Sequence, residues 1–258
     1  MKKIDLGMPS LLELPSLGAN LRLCKERRLD FVELNMNLPW AQALSARDLQ
    51  KRDGIYCTVH LDENANPADF DRDIARAWTN SILRCIRLAK DAGVPVLTMH
   101  IPQGVYFTMP QGKVYLADEY WPQFSSALSR FRDSCAREIG PDGPVIALEN
   151  TRWPGMAHLE DAAALLLQAP CFALCYDSGH DRKQAALPFY EEHAGRWTHM
   201  HLHDADAMGD HKPLGEGNMN WQQALSAAQN GAVRRIVLEV KTQQGLCASI
   251  ARYKEKIQ

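Results

Sequence analysis

Six ionisable residues stand where apolar runs end: His60, His100, Glu149, Asp177, His201 and Glu239. A carboxylate in such a place is costly unless it is paired, hydrogen-bonded or bound to a cation. Taken singly, each has a structural explanation. One histidine at a strand end is usually hydrogen-bonded, and a lone glutamate can cap a helix or pair with Arg152 or Lys241. Six such groups from six separate runs are harder to satisfy without a metal. Imidazole and carboxylate together suit zinc, manganese or iron better than calcium.

The elements that must position these groups alternate along the chain. Short apolar runs occupy residues 3–7, 31–35, 55–60, 94–100, 145–150, 172–177, 198–204 and 235–240. Each is short and rich in Val, Ile, Leu or aromatics, as a buried parallel strand should be. Helical periods lie between them. Ile74, Trp78, Ile82, Cys85 and Ala89 recur at three and four, with Gly93 as the stop. Trp121, Phe124, Leu128, Phe131, Cys135 and Ile139 repeat the pattern before Gly140-Pro141. Shorter helices fit residues 16–28, 157–168, 184–193, 220–230 and 244–254. Eight such units predict an α/β chain folded as a single (β/α)8 TIM barrel. A doubly wound open sheet is the rival, but no Gly-rich phosphate loop follows the first run. Residues 105–109 and 113–117 flank Pro110-Gln111-Gly112 and read as a hairpin. Tyr106, Phe107 and Tyr115 on it either cover the barrel mouth or pack against the neighbouring loop.

Composition narrows the classes. The chain has 258 residues, 46% hydrophobic and 23% charged, and no linker or low-complexity tract, so one domain is expected over residues 1–258. Its 29 basic and 31 acidic residues leave a formal net charge of −2, which lacks the footprint of a generic polyanion binder. No segment reaches the roughly 18–20 apolar residues of a membrane span. The opening residues lack the apolar core of a signal peptide, so a cytoplasmic location is expected. Seven cysteines without a CxxC pair read as reduced, mostly buried thiols.

Five segments carry a family resemblance: LEN at 148–150, DSGH at 177–180, HLHD at 201–204, HKPLGEGNMNW at 211–221 and LEV at 238–240. In this order the chain resembles the xylose isomerase-like TIM-barrel superfamily, which holds sugar and sugar-phosphate isomerases and epimerases and the endonuclease IV group. The HxPLGEG segment after HLxD is the specific part; LEN alone is weak. Resemblance to the ketose epimerases implies that Glu149, Asp177, His201 and Glu239 hold one divalent ion. Manganese or zinc is expected, with magnesium, cobalt and iron as alternatives. It further implies that Glu149 and Glu239 are the catalytic pair, moving a proton off and onto the carbon beside a sugar carbonyl through a metal-stabilised enediolate. His60, His100, His180 and His211 would then bind substrate or a second metal, and Gly215 and Gly217 would let a loop turn tightly near the sugar. The expected partner is a small carbohydrate, with a homo-oligomer in keeping with such relatives and neither membrane nor nucleic acid.

The endonuclease IV group supplies the rival: a three-zinc abasic-site DNA nuclease. Eight of its nine ligand positions have a counterpart here, but Gly209 stands where an aspartate is needed and Asp210 is out of register. Asp62 and Glu63 also place two acids where a DNA backbone would approach, and the segment after the second run offers no arginine, although Trp40 could stack on a sugar or base. A metal-retaining sugar-binding protein without turnover is a second alternative. Outside the set, His199 is expected in the core, His203 beside Asp204 or the substrate, and His158 and His193 on the surface.

Overall fold

A computed structural model describes residues 3–151 and 156–257. Each expected apolar run forms one strand of a closed parallel barrel. In chain order these are β1 (Asp5–Pro9), β2 (Phe31–Asn35), β3 (Tyr56–His60), β4 (Val96–His100), β5 (Val145–Glu149), β6 (Phe172–Asp177), β7 (Trp197–Leu202) and β8 (Arg235–Leu238). Every strand pairs with its sequence neighbours, and β8 closes on β1 through Asp5 opposite Arg235 and Gly7 opposite Val237. The single (β/α)8 barrel is therefore the fold, and the open sheet is excluded.

Local chemistry sets the helix ends. Arg72–Ala92 starts where the Asp71 carboxylate accepts the amides of Asp73 and Ile74, and ends at Gly93 in the left-handed region. Trp121–Ile139 carries Pro122 in its first turn and stops at Gly140. One helix is shorter than its pattern. Residues 184–193 suggest a full helix, whereas only Leu187–Glu192 is helical. Asp181 explains the delay, because its carboxylate holds Ala185 and Ala186 in a loop by accepting their amides, and also accepts that of Leu187, the first helical residue. The run at 198–204 is also broken: β7 stops at Leu202, and Asp204–Asp206 pairs with Gly209–Lys212 as a separate ribbon.

Below the mouth the barrel is filled by aromatic packing. Phe31 stacks on Tyr56 with ring centroids 5.2 Å apart, and its ring fills the space that a Cβ on Gly7 would need. A Gly7 Cβ would lie 2.5, 2.5 and 2.6 Å from three Phe31 ring carbons, and Phe31 is fully buried. Gly7→Ala should therefore destabilise the fold by about 1–3 kcal/mol, measured as a lower denaturation midpoint; an unchanged midpoint would show that the floor can yield.

The hairpin after β4 is present as Tyr106–Met109 paired with Gly112–Tyr115. Its base is packed inward: the Tyr115 hydroxyl donates to Gln103, whose amide donates to Thr151 just past β5. Tyr106, opposite Tyr115, and Phe107 after it are exposed. All seven cysteines are free thiols, four of them buried. Among the described residues no helix is long and apolar enough to cross a membrane.

Candidate metal centre

The closed barrel carries the ends of six strands to one mouth. His60, His100, Glu149 and Asp177 are the last residues of β3 to β6; His201 is the penultimate residue of β7, and Glu239 follows β8 directly. One side-chain atom from each of Glu149, Asp177, His201 and Glu239 lies within 4.8 Å of the others, and all four residues are buried. His201 is central. Its Nδ1 lies 3.3 Å from Glu149 Oε1, 3.9 Å from Asp177 Oδ2 and 2.9 Å from Glu239 Oε2.

These atoms are close without being satisfied. Glu149 Oε1, His201 Nδ1 and Glu239 Oε2 are all buried without an aligned hydrogen-bond partner. Buried polar atoms are seldom left so, and three converging on one point, with an oxygen- and nitrogen-donor set, fit a divalent cation. The charges agree. Burial would raise the Glu149 carboxyl, but the positive charge of the neighbouring histidines, His201 first and then His100, holds it well below its ordinary range. Burial likewise opposes the Glu239 anion, and Lys241 and His201 outweigh it.

The four remaining histidines surround this set. Burial disfavours a charge on His60, yet the Glu149 carboxylate at 3.0 Å from its Nε2 pushes its pKa up to about 9, while its Nδ1–H donates to the Leu61 carbonyl. His100 Nε2 lies 3.7 Å from the same Glu149 oxygen, and burial pushes its pKa below the ordinary imidazole value. His180 Nδ1 is 3.4 Å from Glu149 Oε1 and 3.7 Å from Asp177 Oδ2. Asp177 and Glu149 overcome its burial and raise it to about 10. His211 Nδ1 lies 3.8 Å from Glu239 Oε1. All eight residues singled out in the sequence thus meet at one centre.

Supporting contacts give the motifs their physical meaning. In LEN, the Asn150 side chain ties the end of β5 to β6, donating to the Asp177 carbonyl at 2.9 Å and accepting its amide at 2.8 Å. In DSGH, the His180 amide donates to Asp177 Oδ1 at 2.7 Å. A Cβ on Gly179 would overlap the His203 ring. His203 in turn reaches both Asp177 oxygens through Nε2, at 3.0 and 3.1 Å, and accepts the His211 amide on Nδ1. That bond holds His211 at φ +55°, in the left-handed region, with the two rings stacked 4.4 Å apart.

Several expectations change. The Asp204 side chain is held by the loop that follows, accepting the amides of Gly215 and Met219, while His203 Nδ1 lies 3.1 Å from the Asp204 carbonyl. A Cβ on Gly217 would collide with the Asp204 carboxylate, so the tight turn wraps an aspartate. His158 is buried, not on the surface, because Asp118 and the Gln103 carbonyl take its two ring nitrogens at 3.0 Å each. His193 is half-buried, with Nδ1 on the Phe189 carbonyl. Trp40 packs against the core. Lys241 pairs with Glu239 at 2.8 Å, whereas Arg152 lies outside the described residues. His199 is a core residue as expected, but its partner, Glu33 on β2, is one the strand-end pattern passed over.

A cavity of about 300 Å³ opens beside the centre, reaching His60 and Glu239 and walled by Ser10, Asn35, Glu63 and Lys241. The Asn35 side chain donates to the exposed Glu63 carboxylate at 2.7 Å.

Residues 21–258 match the protein family described as xylose isomerase-like TIM barrel. No curated protein matches the sequence. Among solved structures, the chain is similar to a D-tagatose 3-epimerase-like protein, with 20% identity, a TM-score of 0.76 and coverage of 98% of this chain and 97% of that one. It is also similar to the IOLI protein with a bound zinc atom, at 17% identity and TM-score 0.69, covering 98% and 96%. A third is D-allulose 3-epimerase from Methylomonas sp. in complex with D-allulose, at 15% identity and TM-score 0.66, covering 99% and 98%. At these identities the likeness is one of fold.

Proposed function

The chain belongs to the xylose isomerase-like TIM-barrel family, and from that premise we propose that it is a divalent-metal-dependent isomerase or epimerase of small carbohydrates. The observation that carries this reading is the pair Glu149 and Glu239. They stand on β5 and after β8, with β6 and β7 between them, yet each keeps one buried oxygen without an aligned partner beside His201 Nδ1. Two ionised carboxylates approaching one centre from different strands suit removal of a proton from one face of a carbon and its return to the other.

Glu149, Asp177, His201 and Glu239 would hold the cation. Bound there, it would stabilise charge developing on the substrate carbonyl oxygen and acidify the neighbouring C–H. The residues do the rest. Glu239 and Glu149 exchange the proton, Lys241 holds Glu239 ionised through Oε1, and His60 does the same for Glu149 through Oε2. His100, His180 and His211 ring the mouth as donors to sugar hydroxyls. On the cavity side, the Glu63 carboxylate accepts from a sugar hydroxyl. D-Allulose and D-tagatose, the sugars named for two similar structures, are the first substrates to test.

The nuclease reading is weaker at the third metal position. Gly209 offers no side chain there, and the cluster beside the main site consists of His180, His203 and His211, with His203 already committed to Asp177. The test is incubation of these ketoses in heavy water, with abasic-site DNA in parallel. Deuterium should enter the carbon next to the carbonyl as the epimer appears. Strand scission with no label in any sugar would overturn the proposal, and tight sugar binding without exchange would reduce the protein to a binding module.

A further inference from the structure

We propose that Glu33 is a positioning residue for the metal centre, a carboxylate buried one layer below it that orients His201 and strengthens it as a ligand. The inference rests on the metal reading above. Glu33 is the third residue of β2, 3% exposed, and is not one of the six strand-end groups. Its two oxygens have separate tasks. Oε2 is saturated: it accepts from the Thr58 hydroxyl at 3.0 Å, the Thr98 hydroxyl at 2.9 Å and His199 Nε2 at 3.0 Å. These donors come from β3, β4 and β7, so the carboxylate is clamped from three strands. Oε1 is thereby held 2.6 Å from His201 Nε2, within ion-pair distance although the ring N–H is not aligned on it as a hydrogen bond.

His201 can therefore take one useful state. With a cation held among Glu149, Asp177 and Glu239, Nδ1 must turn its lone pair to that cation, and the ring proton then sits on Nε2, beside Glu33. The opposite tautomer would set a bare Nε2 lone pair against a buried anion. A carboxylate behind a ligating imidazole raises its basicity and fixes its rotation, and loss of such a partner commonly weakens metal binding about 10–100-fold. Burying a charge for packing alone would be wasteful, since an apolar residue would fill the same space at lower cost.

The experiment titrates the full-length, chelator-stripped protein with Mn2+ and with Zn2+ by calorimetry, following thermal unfolding of each metal-free variant alongside. Glu33→Gln keeps the shape and removes the charge; it should weaken both ions about 10–100-fold, and Glu33→Asp, which restores the charge, should recover part of the loss. Should Glu33→Gln not fold, Thr98→Val removes one clamp and should weaken binding about two- to ten-fold. A purely structural role would lower the unfolding temperature and leave affinity within twofold of wild type, which would overturn the inference. A wild-type chain that takes up neither ion would instead overturn the metal reading, and this inference with it.

Discussion

Glu239→Gln should lower kcat on the ketose substrate by about 10²–10⁴-fold, the usual contribution of a positioned general acid or base. The substitution is nearly isosteric, and Glu239 lies at the open end of the barrel beyond the last residue of β8, so the fold should survive. What disappears is the anion. A glutamine in this place can neither accept a proton from carbon nor pair with Lys241, whose ammonium lies 2.8 Å from Oε1. Metal content must be measured with the rate, because Glu239 is also one of the four proposed ligands. Variant protein supplied with excess cation until its occupancy equals that of wild type should remain inactive. It should form no epimer, even where Glu149 alone still exchanges the substrate proton with solvent. Full activity in that state would remove Glu239 from the catalytic pair.

The second large effect is expected where no ionisable group is touched. Gly179→Ala adds one methyl group, and that methyl would occupy the volume of the His203 imidazole. His203 is fully buried and cannot swing into solvent. Relief must come from moving the ring, which contacts both Asp177 oxygens and stacks on His211. Overpacking of this kind costs about 1–3 kcal/mol, and disturbing the partner of a ligand carboxylate weakens metal binding by about 10–100-fold. Alanine at Gly179 should therefore lower the unfolding midpoint and the metal affinity together. Alanine at Gly195, where no heavy atom lies within 4 Å of the added carbon, should change neither. Wild-type affinity in the Gly179 variant would show that Asp177 does not depend on His203 for its orientation.

The barrel and its mouth were legible because both follow from short-range pattern. A strand buried on both faces writes itself as an apolar run, and a polar residue at the end of such a run stands out, as His60, His100, Glu149 and Asp177 do. Glu33 was missed although the same reasoning reaches it. It lies within a run, between Val32 and Leu34, where a carboxylate is more costly than at an end; the missing information was the pair of hydroxyls on β3 and β4 that satisfy it. His158 was misplaced for a related reason, since a histidine at a helix start looks exposed until Asp118 and Gln103 arrive from 40 and 55 residues away. The ribbon formed by Asp204–Asp206 and Gly209–Lys212 carries no apolar alternation, so the sequence offered only a glycine-containing loop.

The hairpin after β4 has a consequence for local stability. Its two strands pair only with each other, and Tyr106, Phe107, Met109 and Val114 face solvent. Opening it beyond Tyr115, which packs on the core, exposes almost no apolar area that is not already wet, so the amides toward its tip should exchange hydrogen with the medium long before those of β4 and β5 on either side of the insertion. Residues near the tip are thus thermodynamically insulated from the cylinder, and changes there should be absorbed without disturbing the eight strands beneath.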